Sequence, residues 1–525
     1  MKLPRVPVIV AGIVLVGAVL RIVGVTWGLP QQLNPDEWVI VSGALDLSAR
    51  NSFEPSIFLR PDHLEIQLSY LAYTAYALIF TGTGVEAAYA ADPGTFLLIS
   101  RVITALFGTA TVLLAFFIGR RFSSRIGIIA AALFALFPPF VIHSHYASPD
   151  IPLTAVLMGL VLACMHYLKR PGYVSLLVAS AMVSLAISIK YPGAIAAVAI
   201  AVVVVIMALR ERRPWRILQH GATAIVAVLG FLFLISPVLF TNIRAVVAAI
   251  QKESRTNHPG ADGLGFGGNL LFYGTEFLLT AGIIITLTAF IGVFFVIRGR
   301  MLQAVPLALG AFMWIVLSAL PLHWERWGVP MYTSALLFAA IGAGMLPDYL
   351  EERGWLGRWR RPVLITLATI ALLSLTLSSL AATLRFLVPD TRISTAATLD
   401  ELGVTRDNTI FEGYSPFVPQ GPIEVFDDFR TVDGVLVPRD ESKEYLLLSS
   451  CVGNRYNSGE LYASEREFYK TVRDQFDLVL SVEAVPPVPR SPLSVVTTIN
   501  AVSTIAQLAS GRGGGCDLEV YSLSR

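Results

Sequence analysis

Two short acidic motifs contain the side chains best suited to chemistry in this 525-residue chain. Asp36 and Glu37 stand in the run Asn-Pro-Asp-Glu-Trp, a few residues after the first apolar segment. Asp150 ends the run Ser-Pro-Asp, in a short turn between two later apolar segments. Carboxylates at the rim of a membrane-embedded bundle are costly to hold near hydrocarbon, so they are candidates for a functional site. Because both motifs are predicted on the non-cytoplasmic side, we expect them to act at one face of the bundle.

The same motifs also have a purely structural interpretation as helix starts. Asn34 would be an N-cap, with Pro35 at the first helical position and Glu37 as its reciprocal capping partner, and residues 148–150 repeat the cap-then-proline arrangement. An aspartate near a helix N-terminus is favourable without any catalysis. This interpretation stays open for each motif by itself, but it does not require both Asp36 and Glu37.

Cations in the outer turns indicate that an anion binds near the carboxylates. Lys190 lies in one tight outer turn, Arg326 in a second, and Arg255 in the loop after Phe240. Arginine and lysine side chains stabilise the charge that develops on a leaving phosphate, so we predict that these three bind a phosphate at the membrane surface. The alternatives are that Lys190 only snorkels toward lipid headgroups and that Arg326 only pairs with Glu325.

His143 and His145, which lie shortly before Asp150, and Tyr191, which follows Lys190, are predicted to line the pocket for the acceptor. Two histidines beside Asp150 resemble metal ligands, but a pair of histidines near a membrane surface is more often part of a polar interface. No cofactor is therefore predicted, and a divalent metal stays open as an alternative that no motif supports. The sequence contains no CxxC, HExxH, P-loop or dinucleotide fingerprint, which leaves zinc, nucleotide and redox chemistry without support, and no nucleic-acid partner is predicted.

The composition is that of a membrane protein. The chain is 55% hydrophobic and 14% charged with a mean hydropathy of +0.66, whereas a soluble globular chain carries about 25% charged residues. A soluble multi-domain protein is excluded. The formal net charge of +2 is unevenly distributed, since residues 389–525 are acidic and residues 1–388 are basic.

Basic clusters in the short loops set the predicted orientation, because cytoplasmic loops carry an excess of lysine and arginine. We assign five clusters to the cytoplasm, at 120–125, 169–170, 210–216, 298–300 and 353–361. Eleven membrane spans are then consistent, at 8–27, 97–119, 126–145, 151–168, 173–189, 192–209, 220–240, 272–297, 302–321, 329–346 and 363–387. The first is read as a retained anchor. The N-terminus is predicted in the cytoplasm of a bacterial plasma membrane, and the C-terminus outside it.

The apolar segment 63–82 does not fit this alternation. If it crossed the membrane, the first basic cluster would fall outside, against the charge rule. Its tyrosines at 70, 73 and 76 are typical of a membrane interface. We therefore predict juxtamembrane or partly re-entrant helices within a long first outer loop, 29–96.

Residues 389–525 are predicted to form a small extracytoplasmic α/β domain after the transmembrane domain 1–388. Short β-prone runs occur at 409–411, 423–426, 444–448, 478–482 and 518–522, and helices are expected at 393–403 and 463–475. Cys451 and Cys516 lie in this region and suggest a disulfide in an oxidising compartment. Two unpaired thiols are the alternative.

Several of these runs resemble the dolichyl-phosphate-mannose-protein mannosyltransferase-like group of the type C glycosyltransferase superfamily, which includes the bacterial aminoarabinose transferase acting on lipid A. The resemblance covers roughly residues 1–350 and is carried by the runs within 101–121, 138–150 and 188–193. It implies the polytopic helical fold of that superfamily.

The resemblance also implies roles for individual residues. Asp36 and Glu37 match the acidic pair that supplies the catalytic base, Asp150 matches the aspartate of the second outer loop, and Lys190 matches a basic position near the lipid phosphate. One departure is segment 60–64, Arg-Pro-Asp-His-Leu, where many members have two prolines before a tyrosine.

The function implied is inverting transfer of one sugar from a polyprenyl-phosphate donor to an extracytoplasmic acceptor, which is a protein, a lipid or a polysaccharide. A carrier or flippase for lipid-linked saccharides and a non-catalytic assembly subunit remain open. Candidate residues at one rim argue against transport, for which polar residues near mid-bilayer and inverted repeats are expected. An oligosaccharyltransferase is a nearer enzymatic alternative, but the Trp-Trp-Asp type of motif is missing.

Overall fold

A computed structural model describes residues 5–58, 60–253, 261–457 and 461–523. Apolar α-helices form a bundle, and a region with two small sheets follows it. The helices of the bundle and its outer loops are α1 (Arg5–Ile22), α2 (Glu37–Ala49), α3 (His63–Tyr76), α4 (Val85–Ala91), α5 (Pro93–Arg120), α6 (Ser124–Leu136), α7 (Pro138–Ile142), α8 (Asp150–Lys169), α9 (Tyr173–Ile189), α10 (Ala197–Arg210), α11 (Trp215–Ile235), α12 (Val238–Thr241), α13 (Ile243–Glu253), α14 (Phe266–Arg298), α15 (Leu309–Ser318), α16 (Val329–Glu352) and α17 (Arg360–Arg385).

Among the described residues, seven helical segments are long and apolar enough to cross a membrane, or eight if the bent pair α6–α7 is one span. The chain is therefore an integral membrane protein with the predicted polytopic helical fold. The predicted number of 11 spans is not confirmed by this criterion. The other three predicted spans coincide with shorter apolar helices, Val6–Ile22, Tyr173–Ile189 and Leu302–Ser318.

A break between α6 and α7 turns the chain toward the site. Pro138 and Pro139 have no backbone N–H, so the carbonyls of Phe134 and Ala135 lose their helical partners. The buried guanidinium of Arg21 donates to both carbonyls, at 2.8 and 3.1 Å. The two helices meet at 60°, and the chain then reaches the outer corner that carries the second acidic motif.

The first outer loop contains the predicted juxtamembrane helices. Helix α2 packs on α3 and α4, and all three pack on α5. Ile40, Leu47, Ile66 and Tyr73 are buried there. A π-helical turn, Ala77–Thr81, extends α3. The three helices thus form a rigid cap at the rim of the bundle, and α2 begins at the first acidic motif.

The C-terminal region contains helices α18 (Thr391–Ser394), α19 (Ala396–Glu401), α20 (Ser450–Gly453), α21 (Ala463–Gln475) and α22 (Ser494–Ala509), and strands β1 (Thr409–Phe411), β2 (Phe429–Val432), β3 (Val435–Pro438), β4 (Tyr445–Ser449), β5 (Asp477–Val482) and β6 (Leu518–Ser522). A four-stranded sheet has the order β1-β4-β6-β5, and β2 and β3 form a separate antiparallel hairpin.

This sheet region is present as predicted, with some differences. The β-prone run 423–426 is not a strand, and the hairpin β2–β3 and the helix α22 were not predicted. Cys451 and Cys516 form the predicted disulfide, with a Cα–Cα distance of 5.5 Å.

Candidate functional site

Asp36 stands immediately before α2 and is clamped between two arginines. One carboxylate oxygen lies 2.8 Å from Nη1 of Arg60, and the other is ion-paired with Nη1 of Arg326. The Asp36 carboxylate makes no capping hydrogen bond to α2. The Asn34 side chain instead accepts from the backbone N–H of Asp36, at 2.9 Å. The N-cap position of α2 is occupied by Asp36, two residues after Asn34, so the predicted capping arrangement at Asn34 is wrong and the Asp36 carboxylate is left to its charged partners.

The electrostatic surroundings of Asp36 hold it ionised. Burial by itself raises the pKa of this carboxyl, but the positive charges of Arg60, Arg326 and Lys190 outweigh burial and lower the pKa to about 2. The same kind of ion pair raises the pKa of the Arg60 guanidinium. Burial by itself lowers that pKa, but the negative charges of Asp62 and Asp36 raise it by a larger amount. In the ligand-free protein Asp36 is therefore an ionised carboxylate whose charge is balanced by the arginines and which is a weak base.

Glu37 points the other way, into a buried clasp. Its two oxygens accept from Nε and Nη2 of Arg101 at 2.7 and 2.9 Å, and one of them also accepts from the backbone N–H of Ala147 at 3.1 Å. Arg101 and Glu37 are both fully buried. The clasp joins α2 to α5 and to the loop of the second acidic motif, so Glu37 fixes the position of both acidic motifs.

Asp150 and Lys190 form a second ion pair in the site. Lys190 Nζ lies 2.7 Å from Asp150 Oδ1, and both side chains are largely buried. Asp150 is the first residue of α8. Lys190 directly follows α9, and its extended backbone (φ −156°, ψ 136°) separates α9 from the 3-10 turn Tyr191–Ala196. The Lys190 ammonium also lies over the ring of Trp327, 5.8 Å from its centroid.

The other predicted site residues fall into three situations. His143 and Tyr191 line the same cavity as the ion pairs, and the Tyr191 hydroxyl donates to the carbonyl of Phe58 at 2.7 Å. His145 is buried elsewhere: both ring nitrogens lie 2.9 Å from backbone carbonyl oxygens, and its ring stacks on Phe386. The sequence predicted His145 in the acceptor pocket, but its ring does not line the cavity. Arg255 lies outside the described residues.

The two ion-pair systems open into one cavity of about 1200 Å³. Its charged wall contains Asp36, Arg60, Arg326, Asp150 and Lys190. A second wall is apolar and includes Ile195, Met313, Val316, Leu317 and Leu320. A third part is formed by Trp27, which follows α1, by Arg385 at the end of α17, and by the C-terminal residues Arg392, Tyr414 and Arg455. Charged side chains, an apolar wall and polar side chains of the C-terminal region therefore line the same cavity.

Two members of this arrangement, Arg60 and Arg101, were not predicted as site residues. Arg60 lies in the segment that departs from the family pattern, 24 positions from Asp36 in the sequence. Arg101 lies 64 positions from Glu37. Arg101 could have been found from the sequence, because it is a charged residue within the apolar helix α5 and such a residue requires a partner.

No group of three or more His, Cys, Asp or Glu side chains suited to a metal ion occurs within residues 5–58, 60–253, 261–457 and 461–523. The carboxylates of the cavity are instead paired with cations. The expected absence of a cofactor stays a prediction.

Residues 97–241 match the family model described as dolichyl-phosphate-mannose-protein mannosyltransferase. The family match confirms the predicted resemblance. It includes Asp150 and Lys190 and does not extend to Asp36 or Arg326. No curated protein sequence matches the chain.

Solved structures of several membrane glycosyltransferases are similar. ArnT from Cupriavidus metallidurans bound to undecaprenyl phosphate has 15% identity and a TM-score of 0.47, over 77% of this chain and 74% of that one. The Archaeoglobus fulgidus oligosaccharyltransferase in complex with Zn and sulfate has 12% identity and a TM-score of 0.48, over 88% and 71%. The arabinosyltransferase EmbB from Mycobacterium smegmatis has 14% identity and a TM-score of 0.41, over 96% of this chain but 40% of that one.

Proposed function

We propose that this protein is a membrane glycosyltransferase that moves one sugar from a polyprenyl-phosphate donor to an acceptor hydroxyl. The observation that carries the proposal is the single cavity in which Asp36, two cationic groups and an apolar wall meet. The family match over residues 97–241 supports the same class of reaction. The acceptor is a protein, a lipid or a polysaccharide on the extracytoplasmic side.

The lining of the cavity supports one orientation for the donor. Its lipid tail would lie along the apolar wall at Met313, Val316 and Leu317, since burying apolar surface is the dominant gain for such a chain. Its phosphate would meet Lys190 and Arg326, which line the charged wall. Arg326 is the better placed of the two to change partners, because its side chain is 33% exposed whereas that of Lys190 is 11% exposed.

Binding of the phosphate would activate Asp36. An arginine that turns toward the phosphate contributes less positive potential to the carboxylate, so the pKa of Asp36 rises from about 2 and its basicity with it. Arg60, which is 12% exposed and also paired with Asp62, would keep Asp36 oriented. The donor would thus help to prepare the base that uses it.

The chemical step is an inverting displacement. The acceptor oxygen attacks the anomeric carbon from the face opposite the phosphate, and Asp36 takes the hydroxyl proton as a general base. The bond from the anomeric carbon to the phosphate oxygen breaks with its electrons on that oxygen, where Lys190 and Arg326 neutralise the charge. Asp150 would hold Lys190 at this position, and His143 and Tyr191 would contact the acceptor.

We also infer that the cavity and a domain comprising residues 389–525 are extracytoplasmic and that the N-terminus of domain 1–388 is cytoplasmic. The support is the distribution of basic residues, which cluster in the loops at the opposite ends of the helices from Asp36 and Asp150.

Replacing Asp36 by asparagine tests the function. Asn keeps the size of the side chain but removes its charge and basicity, and loss of a general base costs about 100- to 10,000-fold in turnover. We expect the purified Asp36→Asn protein to bind a polyprenyl phosphate at least as tightly as wild type, because Arg60 and Arg326 lose a competing anion. Sugar transfer would be measured with synthetic polyprenyl-phosphate sugars and a cell-envelope acceptor fraction.

Asp46→Asn is the matched control, since Asp46 lies on the same helix in an exposed pair with Arg50. It should leave transfer unchanged. Activity of Asp36→Asn within a few-fold of wild type would move the base to another carboxylate. A wild-type protein that binds polyprenyl phosphate but transfers no sugar from any donor would favour the carrier or the assembly subunit.

A further inference from the structure

Helix α22 has its apolar and polar faces arranged opposite to those of a helix in a water-soluble domain. Its outward face carries Val495, Ile499 and Val502, which are 52%, 63% and 52% exposed. Its buried residues are Ser494, Thr497, Ala501, Thr504 and Leu508, so three of the five are small hydroxyl residues. None of its 16 residues is charged. A helix on a soluble domain turns its apolar stripe inward, so α22 is built for apolar surroundings on its outer side.

The neighbour of α22 is a helix of the membrane bundle. Helix α22 packs along α17, which is within one of the segments long and apolar enough to cross a membrane. The buried face of α17 is also small, with Ala371, Ser374, Ser378 and Ala381. Small residues allow helices to approach closely within a bilayer. Helix α22 thus lies beside a helix that is long and apolar enough to cross a membrane.

The start of α22 lies deep in the bundle, at a break in α14. Gly282 has φ 77° and ψ 162°, which interrupts the helix, and the N–H of Ile283 beyond the break donates to the carbonyl of Pro492 at 2.7 Å. Gly282 is about ten residues into the predicted span 272–297, which is about 15 Å at 1.5 Å per residue. That depth is about half of a hydrocarbon layer of about 30 Å.

Both ends of this segment return to the outer rim. Before α22, Val485 donates to the carbonyl of Gly513 at 2.8 Å, and after it Gly514 accepts from the N–H of Thr391 at 2.8 Å. The carbonyl of Gly515 accepts from Arg385, the last residue of α17, at 3.1 Å. The chain therefore descends from the rim through 485–493 and rises again through α22.

The descending limb meets the requirement that backbone polar groups in a bilayer be satisfied internally or by water. Four of its residues are prolines, at 486, 487, 489 and 492, and these carry no N–H. The N–H of Ser491 donates to Thr497 Oγ1 at 3.0 Å, and Asn500 donates to the carbonyl of Pro489 at 2.8 Å. Val488 and Arg490 line the cavity. Polar side chains of α22 thus form hydrogen bonds with the backbone of the limb that precedes it.

We propose that residues 484–509 form a re-entrant hairpin that enters the bilayer from the outer side, with lipid acyl chains against the Val495–Ile499–Val502 face. The extracytoplasmic placement inferred above for residues 389–525 then applies to the rest of that region. Inside the hairpin, Arg490 bridges Glu276 of α14 and Glu325, at 2.5 and 2.9 Å. The hairpin forms the cavity wall between α14 and α17, so it separates the site from the surrounding lipid. This assignment does not depend on the proposed reaction.

Fluorescence quenching in reconstituted vesicles tests the hairpin. Single cysteines at Ile499 and Val502 would be labelled with bimane after purification, since Cys164 is buried and Cys451 and Cys516 are disulfide-bonded. The vesicles would contain phosphatidylcholine with or without a mid-chain nitroxide. We expect several-fold stronger quenching by the nitroxide lipid than by aqueous iodide at both positions.

The matched control is Val432→Cys, an equally apolar position that is 45% exposed in the β2–β3 hairpin. Its label should be quenched by iodide and not by the nitroxide lipid. Iodide quenching of the Ile499 and Val502 labels at the level of the control would overturn the proposal, since α22 would then face water. Protection of both labels from both quenchers would also overturn it, because a protein would then cover the face. Two labelled positions keep the test decisive if one substitution impairs folding.

Discussion

The buried clasp between Glu37 and Arg101 provides a quantitative test of how the site is supported. Glu37→Gln keeps the shape of the side chain but removes its charge. Arg101, with no exposed surface, would then lack its carboxylate, although it still donates to the carbonyls of Val25 and Trp27 at 2.8 and 2.6 Å. Leaving one partner of a buried ion pair uncompensated costs about 3–5 kcal/mol. We therefore expect a strongly destabilised protein.

The control is again Asp46→Asn, which removes the exposed pair with Arg50 on the same helix. Exposed pairs contribute about 0–1 kcal/mol. In detergent, loss of the monodisperse fraction on heating should give an apparent Tm for Glu37→Gln lower than wild type by on the order of 5 °C, and a Tm for Asp46→Asn close to wild type. The double variant Glu37→Gln/Arg101→Gln should recover part of the loss, because no buried charge is left unpaired.

Indistinguishable Tm values for Glu37→Gln and Asp46→Asn would refute the clasp. A Glu37→Gln protein that is as stable as wild type yet inactive would show that Glu37 acts in the reaction and not through packing. Transfer assays on the surviving folded protein at low temperature separate these outcomes, since Asp36→Asn should lose turnover without a comparable loss of Tm.

Two further expectations concern other charged groups. Lys190→Ala should reduce use of the lipid donor more than Lys190→Arg, because the phosphate requires positive charge at that turn; steady-state kinetics with purified enzyme measure this, and equal activity of both variants with wild type would assign Lys190 to snorkelling. Burial raises the pKa of Glu412 from 4.5 to about 7, so its contribution to stability is fully present below about pH 4.5 and is lost as the pH rises through 7. Relative to wild type, Glu412→Gln should therefore show a flatter dependence of Tm on pH between about 4.5 and 7. The same dependence of Tm on pH in both proteins would contradict the raised pKa of Glu412.

The helices of the bundle follow from local properties of the sequence. A run of about 20 apolar residues must satisfy its backbone internally when it leaves water, and the α-helix does so within the run itself. Each predicted span accordingly coincides with an apolar helix, including the three that fall short of the length criterion. The disulfide between Cys451 and Cys516 was also anticipated, since these are the two cysteines of the region after the bundle.

Helix α22 was missed because its pattern has meaning only with respect to its surroundings. An uncharged 16-residue helix with a polar stripe is too short for a predicted span, and it lies in an acidic region read as an extracytoplasmic domain. Which stripe faces inward depends on contact with α17 and with the limb 485–493. The contact with α17 joins residues more than 100 positions apart, so a short stretch of sequence does not reveal it.

The sequence by itself determined the membrane helices, the outer loop and the candidate status of Asp36, Asp150 and Lys190, because apolar length and the cost of charge near hydrocarbon are properties of short segments. Only the tertiary structure decided which partners each carboxylate has. Asp36 and Glu37 are adjacent, yet one faces a cavity with Arg326 from 290 positions away and the other is buried against Arg101. Successive helical residues point about 100° apart, so the packing of distant helices determines the partner that each meets.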